Sequence, residues 1–260
     1  MTPLLELRDV SVHYGGLSAL DRVSMTVEAG TLVGLIGPNG AGKTTLVDAL
    51  TGFVTPSAGT IDFDGRRLTR VPPHRRARRG LARTFQSIEL FEDLTVHENV
   101  LVSAEPSRWY SILTDSFVPR APPENASAEW ALGLVGLGAQ GARMPGELSQ
   151  GQRKLVGVAR ALAAKPKLVL LDEPAAGLDT AESERLGRDL RALLDHGITV
   201  LLVDHDMSLV LGVCDTVWVL EFGRVIAHGT PAEIQRNEAV VTAYLGERST
   251  ATDAGAGGPR

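Results

Sequence analysis

Short apolar runs alternate with amphipathic stretches along much of the chain. The runs are bounded by turn residues, and their length predicts buried strands at Leu32–Ile36, Leu168–Leu171, Ile198–Val203 and Val217–Leu220. Apolar positions that fall on one helical face predict helices at Thr44–Leu50, Gln152–Ala164 and Ala181–Leu194. This alternation is typical of an α/β fold with a largely parallel sheet.

The beginning and the middle of the chain depart from this pattern. Three segments alternate in polarity or turn on glycine, and they predict an antiparallel β layer at Leu4–Tyr14, Val23–Val27 and Thr60–Phe63. The middle favours helices and proline-containing loops. We therefore expect a domain over residues 4–248, with an α/β core and its β layer in 1–86 and 166–235 and a helical subdomain in 87–165. A disordered tail over 249–260, without large apolar residues, would follow it.

Composition excludes several classes of protein. The chain has 260 residues and a net charge of −5, so no global electrostatic attraction to nucleic acid is expected. A single cysteine, Cys214, excludes an internal disulfide framework and a multi-cysteine metal site. We expect no secretory signal, and no run approaches the roughly 20 apolar residues of a membrane span. If the protein works at a membrane, a partner is expected to hold it there.

A glycine-rich segment directly after the predicted strand Leu32–Ile36 has the chemistry of a phosphate-binding loop. It matches the pattern G-x-x-x-x-G-K-[ST] in full, with Gly37, Pro38, Asn39, Gly40, Ala41, Gly42, Lys43 and Thr44. Glycines let consecutive backbone N–H groups turn towards phosphate oxygens, and the helix that follows adds its positive N-terminal end. Lys43 would neutralise the β- and γ-phosphates, and the Thr44 hydroxyl would bind Mg²⁺. By itself, the loop indicates an NTPase or a kinase.

Two carboxylates end the predicted strand Leu168–Leu171. Asp172 can reach a Mg²⁺ ion held at the phosphate loop, and Glu173 is placed to polarise a water molecule that attacks the γ-phosphate. The alternative is a strand that ends in an ordinary polar turn. The phosphate loop makes that alternative the weaker one.

A further segment, at the start of the predicted helix Gln152–Ala164, indicates which class of nucleotide-binding protein this is. Ser149 is a natural N-cap, and Gly151 allows an anion to approach the start of the helix. The run Leu148-Ser149-Gln150-Gly151-Gln152 resembles the signature motif of ABC (ATP-binding cassette) ATPases, written LSGGQ, with Gln150 in place of its first glycine. For this segment alone, an ordinary capped helix remains the alternative.

Other positions are similar to ABC motifs in the family's order. Gln86 corresponds to the glutamine of the Q-loop, and Ala176-Gly177-Leu178-Asp179 resembles the D-loop. His205 follows a predicted strand, as the switch histidine does, and Tyr14 corresponds to the aromatic residue that stacks on adenine. For Tyr14, an aromatic residue at the end of a strand is the alternative interpretation.

The resemblance covers about residues 4–246, and it implies a P-loop NTPase (RecA-like) core that hydrolyses ATP with Mg²⁺. Glu173, His205 and Gln86 would be catalytic, and Thr44, Gln86 and Asp172 would hold the metal. The nucleotide would lie between two subunits arranged head to tail. Its binding residues would be Tyr14, the phosphate loop Gly37–Thr45 with Thr45 included, the signature residues Ser149, Gln150, Gly151 and Gln152, and Asp179.

A closer likeness is to the LivG type of ATPase from branched-chain amino-acid importers, a family that also serves other small polar solutes. It rests on the segments Ala82–Gln86, Leu90–Val100, Asp172–Leu178, His205–Met207, Gly229–Pro231 and Ala243–Gly246. The implied partners are two membrane permease subunits, a second identical or different ATPase subunit and, through the permease, a periplasmic or lipid-anchored substrate-binding protein. The implied location is cytoplasmic, peripheral on the inner face of the cell membrane.

Three other functions are alternatives to this interpretation. An ABC exporter ATPase, serving lipopolysaccharide or drugs, has the same fold. A soluble ABC protein acting on nucleic acid usually carries two cassettes or a long coiled coil, and this chain has one phosphate loop and no heptad run. A small-molecule kinase would leave Ser149–Gln152 and His205 unexplained.

Two surface expectations follow from the sequence. A basic cluster is interpreted as a solvated helix opened by Pro72-Pro73, in preference to a patch for nucleic acid or anionic lipid; it comprises Arg66, Arg67, Arg70, His74, Arg75, Arg76, Arg78 and Arg79. An exposed apolar set is expected to receive a helix of the permease, with the core of the helical subdomain as the alternative interpretation, above all for Leu94; the set comprises Ile88, Leu90, Phe91 and Leu94.

Overall fold

A computed structural model of the protein describes residues 3–84, 90–104 and 125–244. Its first layer is an antiparallel sheet in the order β2-β1-β4-β5. These strands are β1 (Leu5–Tyr14), β2 (Leu17–Val27), β4 (Ala58–Phe63) and β5 (Arg66–Arg67). The predicted antiparallel β layer is therefore confirmed, with a longer second strand than the pattern indicated.

The second sheet is the centre of the molecule and has the order β10-β9-β3-β8-β7-β6. Its strands are β3 (Leu32–Ile36), β6 (Leu81–Arg83), β7 (Leu168–Asp172), β8 (Thr199–Val203), β9 (Thr216–Glu221) and β10 (Arg224–Gly229). All neighbours pair in parallel except β9 and β10, which form an antiparallel hairpin. Every residue of β3, β7 and β8 is buried, as expected for strands covered on both faces.

The helices lie between and beside these strands. They are α1 (Lys43–Thr51), α2 (Pro73–Ala77), α3 (Val96–Ala104), α4 (Asn125–Leu134), α5 (Gln150–Leu162), α6 (Thr180–Asp195), α7 (Met207–Val213) and α8 (Pro231–Gln235). Residues 90–104 and 125–165 contain helices and no strand. The division of the chain into core and helical subdomain stays a prediction. The tail predicted to be disordered lies outside the described residues.

Alternate side chains of the central sheet enter two different cores. Leu32 and Ile36 of β3 pack with residues of α3–α7, whereas Val33 and Leu35 pack with α1 and the antiparallel sheet. This period of two fixes which face each strand residue occupies. Because β3, β6, β7, β8 and β9 run parallel, their carboxyl ends lie together at one edge of the sheet. Among the described helices, none is both long and apolar enough to cross a membrane.

The basic cluster includes one residue that the sequence interpretation placed wrongly in solvent. Arg76, in α2, is 1% exposed. Its guanidinium donates to the carbonyl oxygens of Ala49 at 2.7 Å, Leu50 at 2.6 Å and Val71 at 2.7 Å. It thus satisfies carbonyl groups at the C-terminal end of α1 that have no partner inside the helix. Burial lowers the pKa of Arg76 to about 10.

Candidate functional site

Three segments with predicted roles meet at the carboxyl edge of the central sheet. Strand β8 pairs with β3 on one side and β7 on the other, and Val203 is opposite both Leu35 and Asp172. The phosphate loop begins two residues after Leu35, and His205 follows Val203 by two residues. Parallel pairing in this register brings the loop, the two carboxylates and the histidine to one edge of the sheet.

The phosphate loop needs glycine at its two closest approaches to other backbone. At Gly37, with φ of 154°, a Cβ atom would lie 2.1 Å from the carbonyl oxygen of Leu220. At Gly42, with φ of 101°, a Cβ would lie 2.7 Å from the carbonyl oxygen of Ala19. Glycine therefore lets the loop fold tightly against its neighbours.

Lys43 lies across the inside of this loop. It is 9% exposed, and its ammonium group donates to the carbonyl oxygen of Pro38 at 2.9 Å and also to that of Gly37. A cation held there faces the space that the turn encloses, where a phosphate group would be bound. Thr44 is exposed and Thr45 half-buried at the start of α1.

Asp172 is held at the end of β7 by the last residue of β6 and the residue after it. Its backbone N–H donates to the Thr84 hydroxyl at 3.2 Å, and its Oδ2 atom accepts from Arg83 at 3.0 Å. Only 8% of the Asp172 side chain is exposed. Burial raises the pKa of this carboxyl, and the hydrogen bond from Arg83 opposes that rise. A cation beside Asp172 would further compensate the buried negative charge.

Glu173 and His205 face each other across the turns after β7 and β8. His205 Nδ1 lies 3.8 Å from Glu173 Oε1. Glu173 has a φ of 49°, and its N–H donates to the carbonyl oxygen of Val203 at 2.7 Å. A positive φ is costly for such a residue, so the contacts around this turn must hold it in place.

Asp204 fastens these two turns together, a role that the sequence interpretation missed. It is fully buried, and its carboxylate accepts from the N–H groups of Ala175 at 3.2 Å and Asp206 at 3.0 Å. His205 Nδ1 is 3.5 Å from the same carboxylate. The signal available in the sequence was a carboxylate at the end of an apolar strand, the same pattern that singled out Asp172.

The signature segment forms a capped helix start that packs on its own chain. The Ser149 hydroxyl accepts from Gln152 N–H at 3.2 Å, and the Gln152 side chain accepts from Ser149 N–H at 3.0 Å. A Cβ on Gly151 would lie 2.9 Å from the Leu178 side chain, and Gly177 lies near Gln150. The predicted signature and D-loop segments are therefore in contact, and α5 begins two residues earlier than expected because Ser149 caps it.

Lys154 is a second residue that sequence reasoning missed. One turn into α5, its ammonium group donates to the carbonyl oxygen of Ala176. Burial lowers the pKa of Lys154, while the charges of Asp204 and Glu173 raise it. This contact links the signature helix to the loop that follows the carboxylates. A lysine on a helix carries no local signal of such a contact.

The remaining predicted site residues are placed as follows. Tyr14 ends β1, is paired with Leu17 across the hairpin and is 51% exposed. Asp179 is the N-cap of α6, and its carboxylate accepts from Glu182 N–H at 2.8 Å. Gln86 lies outside the described residues. Leu90, expected on the surface, is 6% exposed and belongs to the core, whereas Phe91 is 44% exposed.

The donor set of the site fits a magnesium–nucleotide complex. The Thr44 hydroxyl and the Asp172 carboxylate are hard oxygen donors, which Mg²⁺ prefers. Within the described part of the chain, no cluster of three or more His, Cys, Asp or Glu residues could hold a metal. Mg²⁺ usually keeps several waters and takes further oxygens from bound phosphates, so it needs few ligands from a protein.

Comparisons with known proteins assign this arrangement to a family. A family model described as "ABC transporter" matches residues 20–176, and one described as "Branched-chain amino acid ATP-binding cassette transporter" matches residues 224–249. The chain is 40% identical to the high-affinity branched-chain amino acid transport ATP-binding protein BraF of Pseudomonas aeruginosa, over 94% of this chain and 98% of that protein. It is 38% identical to LivG of Escherichia coli K12, which has the same description, with the same coverage.

An export protein and two solved structures complete the comparison. The lipopolysaccharide export system ATP-binding protein LptB of Escherichia coli K12 is 37% identical, over 94% of this chain and 97% of its own length. The ADP conformation of MJ1267, an ATP-binding cassette of an ABC transporter, has a TM-score of 0.84 at 31% identity and covers 95% of this chain and 100% of its own. A dimeric post-hydrolysis structure of the cassette MJ0796, bound to ADP and Pi, has a TM-score of 0.71 at 25% identity and covers 87% and 98%. The predicted fold class is confirmed.

Proposed function

The chain belongs to the ABC transporter family of ATP-binding subunits, and we propose that it energises an importer of branched-chain amino acids or related small polar solutes. The observation that carries this proposal is the meeting of the phosphate loop, Asp172, Glu173 and His205 at one sheet edge. The importer assignment is supported by the match of residues 224–249 and by the relatives BraF and LivG.

In this proposal the phosphate loop binds ATP and the oxygen donors beside it bind Mg²⁺. Backbone N–H groups of Gly37–Thr45 and the Lys43 ammonium hold the phosphates, and Tyr14 stacks on the adenine. Thr44, Asp172 and Gln86 hold the metal. When bound, Mg²⁺ neutralises charge on the phosphate oxygens and orients them.

Hydrolysis is assigned to Glu173 with His205 and Gln86. The Glu173 carboxylate accepts a hydrogen bond from the attacking water and takes its proton as the water oxygen bonds to the γ-phosphorus. The bond from that phosphorus to the bridging oxygen breaks at the same time, and ADP leaves with that oxygen. His205, 3.8 Å from that carboxylate, orients it and reaches towards the γ-phosphate. Asp204 fixes both turns through its backbone hydrogen bonds, so that the two side chains are preorganised.

We further propose that two ATPase subunits pair head to tail. Ser149, Gln150, Gly151 and Gln152 would then contact the nucleotide bound to the partner, and Asp179 would lie at the interface. The dimer of MJ0796 shows that a related cassette pairs. In this arrangement the N-terminus of α5, which carries a partial positive charge, would face the anionic nucleotide of the partner.

The remaining partners are membrane proteins. Two permease subunits would hold this chain on the inner face of the cell membrane, and a periplasmic or lipid-anchored binding protein would deliver the solute to them. No solute-contacting residue is assigned to this chain. Binding of nucleic acid is not proposed, because the net charge is −5.

The direction of transport is the point on which the relatives differ, because LptB serves an export system. The complex purified through a tag on this chain, placed in proteoliposomes, should take up radiolabelled leucine or a related solute when ATP is supplied on the side of the ATPase. Co-purified membrane subunits are identified by mass spectrometry. ATP hydrolysis without solute uptake, together with co-purified lipopolysaccharide export subunits, would replace the importer proposal with the exporter.

A further inference from the structure

Arg83 joins two carboxylates that belong to different elements of the site. At the end of β6, its guanidinium nitrogens lie 2.5 Å from Asp48 Oδ1 and 3.0 Å from Asp172 Oδ2. Its side chain is only 10% exposed. Neither the ABC motifs nor the roles proposed above assign Arg83 a function.

Pairing between β6 and β7 fixes the position of the Arg83 main chain, from which its side chain extends. Strand β6 runs parallel to β7, with Arg83 opposite Leu170, and Thr84 N–H donates to the Leu170 carbonyl oxygen at 2.9 Å. The Thr84 hydroxyl in turn accepts from Asp172 N–H. Asp172 is thus held at its main chain by Thr84 and at its carboxylate by Arg83.

The second carboxylate, that of Asp48, connects the same guanidinium to α1. Thr44 and Asp48 are four residues apart on that helix, so they lie on the same face. Thr44 and Asp172 are the two oxygen ligands proposed for Mg²⁺ among the described residues. Arg83 therefore spans the two elements, α1 and β7, that would supply the metal ligands.

We propose that Arg83 is a positioning residue for the magnesium site. It holds Oδ2 of Asp172, leaves Oδ1 for the metal, and sets the separation of Asp172 and Thr44 by binding Asp48. The planar guanidinium suits this role because it donates to two carboxylates in fixed directions, which an ammonium group cannot do. This inference rests on the proposed function, since it requires Mg²⁺ and ATP to bind here.

The test compares Arg83→Lys and Arg83→Met with Asp48→Asn and the unchanged protein. Binding of a fluorescent ATP analogue is measured with EDTA and across a Mg²⁺ titration, and binding of Mn²⁺ is followed by electron paramagnetic resonance. Loss of a residue that orients a metal ligand typically weakens metal binding by about 10–100-fold. We expect such a rise in the Mg²⁺ concentration at half-maximal binding for Arg83→Lys, a larger one for Arg83→Met, and a smaller one for Asp48→Asn.

A purely structural clamp gives a different result. It would lower affinity equally with and without Mg²⁺, or would lower the unfolding midpoint while the Mg²⁺ dependence stayed the same, and either outcome overturns the inference. If Arg83→Met does not fold, Arg83→Lys carries the comparison because it keeps the positive charge. If the affinity of the unchanged protein for the ATP analogue were the same with and without Mg²⁺, that result would instead contradict the proposed function.

Discussion

The Glu173 carboxylate lies 3.8 Å from Nδ1 of His205, in turns that follow two neighbouring parallel strands. The register of β7 and β8 brings the turns together, and the buried carboxylate of Asp204 holds them by hydrogen bonds to Ala175 and Asp206 N–H. The proposed base, Glu173, and the residue proposed to orient it, His205, are therefore placed by strand pairing and by buried hydrogen bonds.

Replacing Glu173 by glutamine should leave ATP binding intact and stop turnover. Glutamine keeps the shape of the side chain but cannot take a proton from water, so hydrolysis should fall by roughly 10²–10⁴-fold. Phosphate release and nucleotide affinity are measured on the same preparation. Glu184→Gln, on an exposed position of α6, is the matched control and should retain full activity. Undiminished turnover in Glu173→Gln would remove Glu173 from the mechanism.

Replacing Ser149 by arginine tests the head-to-tail dimer. The variant should keep the ATP affinity of the isolated subunit, because Ser149 is proposed to contact only the partner's nucleotide, and should lose dimerisation and turnover. Ser149 also caps α5 through Gln152 N–H, so Ser149→Ala is needed as a control that loses the same hydroxyl, at a cost of about 1 kcal/mol, without adding charge or bulk at the interface. A collapse of ATP affinity in the arginine variant alone would place Ser149 in its own subunit's pocket.

The parts of the fold that were predictable are those with strong periodicity. Strand β3 was predicted to the residue, and α6 to within one residue at each end, because a wholly buried run and a long amphipathic face leave one arrangement. The phosphate loop was predictable because its chemistry requires fixed residue types at fixed spacing. The bounds of the short strand β6 could not be predicted, since three residues beside a loop carry no period.

What could not be predicted is how distant charged residues meet. The sequence predicts that Arg76 is exposed, like the other arginines of its cluster. In the structure it is buried, because its guanidinium donates to carbonyl groups at the C-terminal end of α1. Arg83 binds Asp48 and Asp172, contacts that exist only once β6, β7 and α1 are assembled. Leu90 was expected in a docking surface and lies in the core, because a short apolar segment does not reveal which face is covered.

Cys214 should be unreactive in the folded protein. Its side chain is 7% exposed, and burial raises the pKa of its thiol, so little thiolate is present and little of it is accessible. A maleimide added at pH 8 should label the folded chain more than about 100-fold more slowly than the chain in urea. Because Cys214 is the only cysteine, mass spectrometry reports its labelling directly. Equal rates with and without urea would show that the α7 region opens readily.

Replacing Arg76 by methionine should destabilise the fold. The change removes the donor for the carbonyl groups of Ala49, Leu50 and Val71, and it should lower the free energy of unfolding by about 3 kcal/mol, since bonds from a charged donor to buried acceptors are the strong ones. Urea unfolding measures the difference. Arg75→Met, exposed on the same helix, should change stability by less than about 0.5 kcal/mol. Equal effects of the two substitutions would deny Arg76 this role.

Phe91 is the residue through which permease docking can be tested. Its ring is 44% exposed, and the Arg160 guanidinium lies 5.4 Å from its centre. The buried Asn99 side chain accepts from Phe91 N–H at 2.9 Å and donates to the carbonyl oxygens of Phe91 and Leu94 at 3.0 Å. The loop is therefore held rigidly while the aromatic ring remains on the surface, which is the arrangement of an interface anchor.

Phe91→Asp should then weaken association with the permease subunits and reduce transport. The ATP affinity of the free subunit should stay within about two-fold, because the docking surface and the nucleotide site are distinct even though their binding free energies are linked in the complex. Co-purification of the permease pair and ATP titration of the free subunit measure the two effects. Phe53→Asp, a similarly exposed phenylalanine after α1, is the matched control and should leave docking unchanged. Unaltered docking by Phe91→Asp, or equal loss in both variants, would mean that the permease binds elsewhere. Since Leu90 beneath this loop is core, a Leu90→Asp variant should unfold, which separates the docking contact from the packing that supports it.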